Sequence, residues 1–410
     1  MGCCDKTDLI PLEQARTQML DVLTSCCSPQ TLPLNEVDGM ILAQDICAPL
    51  DIPPFDNSSM DGYAIDHASL ISSSGIKIAG DSFAGHPFTG SCPVGEAVRI
   101  MTGAPLPAGT DTVIMQEEVE RTGDQIQILS DYQQGQNVRP RGQDLKQGEK
   151  LLEQGNRLNA RSIQLLASVG IDRVCVYRPL KVALLSSGDE LKDPGSVLSA
   201  GEIFDSNRAG LKILLQRLHC ECLDFGIIPD DKPQLRQAFL DANEQADVVI
   251  SSGGVSVGEA DYTRDVLQEL GSIHFWKIAL KPGKPFSFGK LPKAWFFGLP
   301  GNPVSAMVSF CQLVRPALDK LAGTSWQSPI QLQAKVTHPL RKQPGRTDYQ
   351  RGYFFRDQQG KLCVTPASLQ CSGAFRSMAT ANCFIVLPQE QGSIDTGQQV
   401  TVEPFDGVLS

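Results

Sequence analysis

The chain has 410 residues, a hydrophobic content of 41% and a formal net charge of -10 at pH 7. Because ordinary domains contain roughly 100–200 residues, this length predicts two to four domains. The acidic balance argues against general electrostatic binding to nucleic acid or to a membrane surface, so an anionic ligand would need local basic groups. Without an apolar run of membrane-spanning length, or the apolar core of a signal peptide, we expect a cytoplasmic location.

The chain contains 13 cysteines, none of them in a Cys-x-x-Cys motif or in a Cys/His spacing typical of a zinc site. The close pairs are Cys3-Cys4, Cys26-Cys27 and Cys220/Cys222. Thiols are normally reduced in the cytoplasm, so we interpret these cysteines as structural.

The first predicted element is an amphipathic helix from Pro11 to Cys27. Its apolar residues at helical spacing are Leu12, Ala15, Met19, Val22 and Leu23.

A change of composition follows the first helix. Up to about Gln143, glycines and prolines alternate with short β-type runs such as IKIAG and DQIQIL, which predicts a small β-rich domain. The next segment ends in a helix that we expect to be capped by Asn159 and closed by Gly170. If this segment packs back on the first helix, the β-rich domain is an insertion.

From Leu180 to about Gly323, strands alternate with helices, which predicts a parallel sheet with right-handed crossovers. At the centre of this region, the buried strand Val248–Ile250 leads into a glycine-rich loop and then a helix. Such a loop turns backbone N–H groups towards a phosphate-like anion. It is neither a Walker A loop nor G-x-G-x-x-G. The loop residues expected to bind the anion are Ser252, Gly253, Gly254 and Ser256.

Three carboxylates follow predicted strands of this sheet: Glu190, Asp230 and Asp261. Ligands of open parallel sheets bind beyond the carboxyl ends of the strands, so the three could face one crevice. Their mutual repulsion would then require a hard cation such as Mg²⁺. The alternative is three unrelated solvated acids, with Asp261 acting only as a helix cap.

Later in the same region, Lys277, Lys281 and Lys284 cluster around the sequence KPGKP, a tight loop that could direct two ammonium groups at one anion. Simple solvation of these lysines is the alternative. The last helix of the region is expected to begin at Pro303 with Asn302 as its cap. From about Ser328, alternating runs predict a second β-rich module.

Seven signatures then occur in order, and together they resemble the molybdopterin molybdenumtransferase family, which includes the MoeA proteins and the gephyrin E domain. They are PPFDNSSMDGYA (53–64), MTGAPLPAGTDTVI (101–114), RPRGQD (139–144), SSGDEL (186–191), SSGGVSVGEADYT (251–263), KPGKPF (281–286) and GLPGNPVS (298–305). Small departures from the family pattern are Ser59 in place of Ala and Ser187 in place of Thr.

The resemblance implies an α/β multidomain fold and an elongated homodimer of four-part subunits. In this chain, residues 6–50 and 145–178 would form an N-terminal helical linking domain, and residues 51–144 an inserted β-rich domain. Residues 179–327 would form a central parallel-sheet α/β domain of the molybdopterin-binding type, and residues 328–410 a C-terminal β-rich domain.

The resemblance also implies the reaction: insertion of molybdate into adenylylated molybdopterin, with release of AMP and a requirement for Mg²⁺. The partners would be these two substrates and a second copy of the chain, with other molybdenum-cofactor proteins as further candidates. The cleft of this family lies between the α/β domain of one subunit and the inserted domain of the other, so Asp61 would act in trans.

Site residues follow from the matching motifs. The catalytic acids would be Asp61, Asp144, Glu190, Asp230 and Asp261, with the last three as metal ligands. Further substrate contacts would be Thr102, Pro300 and Pro303. The candidate molybdate contacts are Lys277, Lys281, Lys284, Arg351 and Ser372.

Two other functions stay open from sequence. One is an ATP-dependent adenylyltransferase of molybdopterin, although relatives with that activity resemble mainly the α/β domain. The other is a non-enzymatic scaffold, which would not need all five acids.

Overall fold

The computed structural model of the chain describes residues 9–70, 75–253 and 262–409. Within these ranges, three six-stranded sheets organise the molecule, joined by smaller two-stranded pairs. In this part of the chain, no helix combines the length and the apolar character that crossing a membrane requires.

The linking part of the chain consists of two separate stretches. The first contains α1 (Leu12–Val22), β1 (Pro29–Pro33) and β2 (Ile46–Cys47). Between the two stretches lie β3 (Asn57–Ser58), β4 (Gly62–Ile65), β5 (Ile76–Ser82), β6 (Glu96–Ile100), β7 (Thr112–Met115), β8 (Val119–Thr122), β9 (Gln125–Ile128) and β10 (Val138–Arg139). The second contains β11 (Lys150–Leu152), α2 (Ala160–Ser168) and β12 (Arg173–Tyr177).

Backbone pairing joins these two stretches. Strand β1 pairs with β12, and β2 pairs with β11, both antiparallel. The intervening strands form their own six-stranded sheet in the order β7-β4-β6-β5-β9-β8. As predicted, Asn159 caps α2: its side chain accepts from the Arg161 and Ser162 amides. Gly170 follows the helix with φ +78°, the conformation that favours glycine at a helix end.

The first helix differs from its prediction in length and in partner. It ends at Val22, because the backbone of Leu23 is already extended. Its apolar face does not receive the returning segment. Instead, Leu12 and Met19 belong to the same core cluster as Leu184 of the α/β sheet.

The α/β region contains, in chain order, β13 (Lys181–Ser187), β14 (Leu191–Lys192), β15 (Ile203–Phe204), α3 (Ser206–Arg217), β16 (Glu221–Ile228), α4 (Lys232–Gln245), β17 (Val248–Ser252), α5 (Tyr262–Leu270), β18 (Ser272–Lys277), β19 (Leu280–Lys281), β20 (Pro285–Lys290), β21 (Trp295–Leu299), α6 (Pro303–Ser309) and α7 (Arg315–Ala322). Its main sheet has the order β16-β13-β17-β21-β20-β18. Every residue of the central strand β17 is buried, as the unbroken apolar run predicts.

The prediction of a parallel sheet is correct for four strands and wrong for two. Strands β16, β13, β17 and β21 are parallel, whereas β20 pairs antiparallel with both β21 and β18. The physical reason is connection length. Only residues 291–294 separate β20 from β21, and a parallel crossover needs about a dozen residues or more.

The C-terminal module contains β22 (Leu332–Val336), β23 (Thr347–Arg356), β24 (Leu362–Pro366), α8 (Phe375–Thr380), β25 (Cys383–Leu387) and β26 (Gln399–Pro404). These five strands pair in the cycle β23-β24-β22-β26-β25-β23 and so close a small barrel. Strand β19 comes from the α/β region and pairs with β23, which joins the KPGKP segment to the barrel.

Candidate active site

The four parallel strands end at one edge of the main sheet, which we call the carboxyl edge. Glu190 follows β13, Asp230 follows β16, Gly253 follows β17 and Pro300 follows β21. Because parallel strands place their carboxyl ends together, residues from four separate parts of the sequence meet here.

A carboxylate cluster lies at this edge. The Asp230 amide donates to Asp189 Oδ1 at 3.0 Å. Burial raises the pKa of the Asp230 carboxyl, and the negative charges of Asp189 and Glu190 raise it further. Glu190 and Asp230 are therefore brought together as predicted, whereas Asp261 lies outside the described residues. Asp189 was missed, although its position beside Glu190 in the same loop was a usable signal.

The turn after β17 is closely packed against β13. Gly253 has φ +90°, and a Cβ atom added there would lie 2.7 Å from the Ser187 carbonyl oxygen. Nearby, among the described residues, the hydroxyls of Ser186 and Ser187 are buried without a hydrogen-bond partner. This corner of the edge therefore offers donors and requires a residue without a side chain. Gly254 and Ser256 lie outside the described residues.

A Gly253→Ala variant is expected to lose about 1–3 kcal/mol of unfolding free energy, because alanine is strained at this φ and collides with the Ser187 backbone. Chemical denaturation measures the loss. The matched control is Gly301→Ala, because a Cβ atom at Gly301 meets nothing within 4 Å. Equal stability of the two variants would contradict the close approach.

Asn207 is a site residue that sequence analysis missed. Its Nδ2 donates to Ser252 Oγ at 2.9 Å and to the Gly301 carbonyl at 2.8 Å. It lies in the first turn of α3, where the Asp205 carboxylate caps the helix by accepting from the Arg208 amide. Asn207 thus holds the end of β17 against the loop after β21. An asparagine in a first helical turn is too common to signal this role.

The loop after β21 meets the C-terminal barrel. Pro300 is buried, and Pro303 is the first residue of α6. The Val304 amide donates to the Ser372 carbonyl at 3.2 Å. Asn302 occupies the predicted cap position, but its side chain makes no capping hydrogen bond. Ser372 therefore reaches this edge through its backbone.

Arg351 does not project into the crevice as an exposed molybdate contact would. It is fully buried on β23. Its Nη2 donates to the Leu369 and Cys371 carbonyls at 3.1 and 3.0 Å, and its Nε donates to Ser377 Oγ at 3.1 Å. In this structure Arg351 holds the loop that presents Ser372 to Val304.

An Arg351→Met variant is expected to lose about 3 kcal/mol of unfolding free energy, because it removes a buried, charged donor of three hydrogen bonds. The control is Arg356→Met on the same strand, where the exposed side chain donates to the Gly360 carbonyl. Denaturant titration of both variants checks this, and a loss no larger than that of the control would contradict it.

The three lysines of the KPGKP segment differ in their surroundings. Lys281 Nζ donates to the buried Asp348 carboxylate at 3.0 Å. Lys277 and Lys284 are exposed, and the Lys284 carbonyl closes the loop by accepting from the Ile278 amide at 2.8 Å. The positive charge of Lys281 is thus largely balanced, and the two others keep exposed ammonium groups.

A second group of predicted residues lies in turns of the segment that contains the inserted sheet. The Thr102 amide and hydroxyl donate to Asp61 Oδ1 at 2.7 and 2.8 Å. These bonds, the amide bond first, lower the pKa of the Asp61 carboxyl. Asp144 is exposed in a different turn, and its amide donates to the Ile52 carbonyl at 2.9 Å. Asp61 and Thr102, which belong to two separate motifs, therefore form one hydrogen-bonded unit that the sequence had not predicted.

Three family models match consecutive parts of the chain. They are described as "MoeA N-terminal region (domain I and II)" over residues 10–170, "Probable molybdopterin binding domain" over residues 183–320 and "MoeA C-terminal region (domain IV)" over residues 333–405. Together, the three matches cover nearly the whole chain.

Individual relatives match over similar lengths. A molybdopterin molybdenumtransferase from Haemophilus influenzae is 49% identical over 98% of this chain and 100% of its own length. One from Nostoc is 34% identical over 91% of this chain and 88% of its own length. A solved MoeA protein from Pyrococcus horikoshii has a TM-score of 0.82 at 33% identity, covering 98% of this chain and 100% of that one. The chain therefore belongs to the MoeA family of molybdopterin molybdenumtransferases.

Proposed function

We propose that the chain inserts molybdate into adenylylated molybdopterin and releases AMP in a step that requires Mg²⁺. The observation that carries the proposal is the carboxyl edge, where acidic side chains lie beside a tight glycine turn. Molybdate insertion follows from membership of the family. The adenylylated substrate and the ion are supported by the chemistry of this edge.

The acids at the carboxyl edge fit Mg²⁺. Carboxylate oxygens are the ligands that this ion prefers. Burial and the charges of Asp189 and Glu190 raise the pKa of Asp230, and a bound cation would offset the repulsion between these carboxylates. Within the described residues, no three such oxygens at this edge lie within 4.8 Å of one another. Three protein carboxylates are not required, because Mg²⁺ is commonly held by one or two carboxylates together with substrate phosphates.

Glu190 and Asp230 would hold the ion, with Asp261 as a third ligand. When bound, Mg²⁺ would screen the charge of the phosphoanhydride. The chain itself supplies the neighbouring groups: the buried hydroxyls of Ser186 and Ser187 can donate to phosphate oxygens, and Asn207 holds the two flanking loops together.

The candidate molybdate contacts differ in how much positive charge they keep available. Lys277 and Lys284 present exposed ammonium groups that suit a doubly charged oxyanion. Lys281 would have to share its charge with Asp348. Arg351 would act through the position of Ser372 rather than by touching the anion.

The assembly is also a proposal. All hydrogen bonds given above for Asp61 lie inside the segment that contains the inserted sheet, which is consistent with a carboxylate that serves the crevice of a second subunit. A homodimer of four-part subunits in the cytoplasm is the arrangement we propose, and transfer of the product to other molybdenum-cofactor proteins would follow release.

The direct test is AMP release from adenylylated molybdopterin by the purified chain. We expect release only when both molybdate and Mg²⁺ are present. AMP release that is indifferent to molybdate would contradict the insertion reaction.

A second incubation separates the alternatives. The adenylyltransferase function predicts that unadenylylated molybdopterin and ATP yield the adenylate without a partner enzyme. A scaffold predicts no turnover in either assay.

A further inference from the structure

A second cluster of ligand atoms lies at the amino ends of the same strands, which we call the amino edge. Asp247 directly precedes β17, Lys181 begins β13 and Trp295 begins β21. The five residues of β17 span roughly 17 Å, so the amino edge is remote from Glu190 and Asp230. The reaction proposed above uses no residue of this edge.

Two cysteines join Asp247 there. One ligand atom each from Cys26, Cys27 and Asp247 lies within 4.8 Å of the others, and no other such group of three occurs in the described parts of the chain. Cys27 is buried, whereas Cys26 is exposed. The cysteines lie between α1 and β1, more than two hundred positions from Asp247 in sequence.

Asp247 and Cys26 are held in place before any ligand binds. Asp247 accepts two hydrogen bonds from Arg178, at 2.7 and 2.8 Å, and one from the Lys181 amide at 2.9 Å. The Cys26 amide donates to the Leu321 carbonyl at 3.1 Å. Little reorganisation would therefore be needed to bring two sulfurs and one oxygen around a single ion.

We propose that Cys26, Cys27 and Asp247 bind one thiophilic divalent metal ion of the Zn²⁺ type at the amino edge. Two sulfurs and one carboxylate oxygen supply three positions of a tetrahedral site, and water fills the fourth from the adjoining cavity. Binding releases both thiol protons to solvent. The charges of two thiolates, one carboxylate, the Arg178 guanidinium and the divalent ion then sum to zero.

The basic residues around the cluster are mostly neutralised by acidic partners, so they do not exclude a cation. The adjoining cavity has a volume of ≈ 450 Å³ and includes several basic residues in its lining. Most of these are already paired: Arg178 with Asp247, Lys181 with Glu221 and Lys293 with Glu244. The cavity wall therefore offers little uncompensated positive charge.

The fourth basic residue lies against an aromatic ring. The ammonium of Lys290 lies 4.5 Å from the centre of the Trp295 ring. The two sulfurs are thus the groups at this edge that are best suited to bind an added ion. Sulfur ligands select Zn²⁺ and related soft ions and not Mg²⁺, which separates this site from the carboxyl edge.

The test uses the reduced, metal-free full chain and two probes, Zn²⁺ in competition with a chromogenic chelator and Co²⁺ read by its thiolate charge-transfer absorption. We expect one equivalent of metal with thiolate absorption. Cys26→Ser should weaken the affinity at least about 100-fold and reduce that absorption, because it removes a direct ligand. The matched control is Cys47→Ser, another exposed cysteine, which should change neither.

A second variant guards against an indirect effect on the fold. Cys27→Ser should also lose the metal while its unfolding, followed by circular dichroism, stays cooperative. Metal bound without thiolate absorption, or bound equally by the Cys26→Ser and Cys47→Ser variants, would overturn the proposal. Neither readout depends on AMP release, so the proposal can fail or hold independently of the proposed function.

Discussion

Replacing Asp230 by Asn is expected to abolish Mg²⁺-dependent AMP release and, at the same time, to raise the melting temperature of the ligand-free chain at neutral pH. The activity should fall by at least about 100-fold, because Mg²⁺ loses a ligand where it would screen the charge of the phosphoanhydride. The stability should rise because asparagine removes a charge that faces Asp189 and Glu190.

The gain in melting temperature of Asp230→Asn should depend on pH. Burial, followed by the charges of Asp189 and Glu190, raises the pKa of Asp230 in the folded state above its unfolded value of about 3.9. Between the two pKa values the folded state binds more protons, so stability is lost as pH rises through this window. The melting temperature of Asp230→Asn should therefore exceed that of the wild type increasingly as pH rises from about 4 towards neutrality.

The matched control for this experiment is Asp231→Asn. Asp231 caps α4 by accepting from the Gln234 amide, and asparagine caps equally well, so neither activity nor stability should change. Added Mg²⁺ should raise the melting temperature of the wild type more than that of Asp230→Asn. A wild-type rate of AMP release by the Asp230→Asn variant would contradict a role for Asp230 in the reaction.

The second large effect is expected from Asp61→Ala, which should reduce AMP release by about 10²–10⁴-fold if the carboxylate moves a proton in the reaction. The fold should survive, because Asp61 is exposed and, among the residues that the structure describes, its side chain bonds only to Thr102. Thr102→Ser keeps the hydroxyl and should stay close to the wild type. The rate of AMP release and the melting temperature of both variants check this.

Mixing two inactive variants tests whether Asp61 acts across subunits. In a heterodimer of Asp61→Ala and Asp230→Asn, the trans arrangement leaves one crevice with both acids intact. Because about half of randomly mixed dimers are heterodimers with one such crevice out of two, about a quarter of the wild-type activity should return. An arrangement within one subunit predicts no recovery, and so does a monomer.

Much of the carboxyl edge could be predicted from local patterns. The apolar run 248–250 and the alternation of strands with helices indicated a parallel sheet, and a parallel sheet collects its carboxyl ends. That reasoning was sufficient to predict that Glu190 lies near Asp230, and motif matching selected Asp61 and Thr102 as site residues. These predictions succeeded because strand periodicity and chain direction are encoded within a few neighbouring residues.

Other features depended on contacts that no local pattern encodes. Arginine is a residue type that often binds anions at a surface, yet Arg351 is buried and donates to Leu369, Cys371 and Ser377. The Lys281 ammonium meets Asp348 only because β19 joins the barrel strand β23.

By itself, the sequence determined the family, the order of strands and helices and the carboxylates at the ends of parallel strands, since each depends on short-range pattern and chain direction. Only the tertiary structure decided which charges stay available and which are balanced. It also brought Cys26 and Cys27 to Asp247, a cluster that the sequence did not indicate because the chain contains no Cys-x-x-Cys motif. The reason is that burial and charge pairing arise between segments whose separation along the chain carries no information about their distance in space.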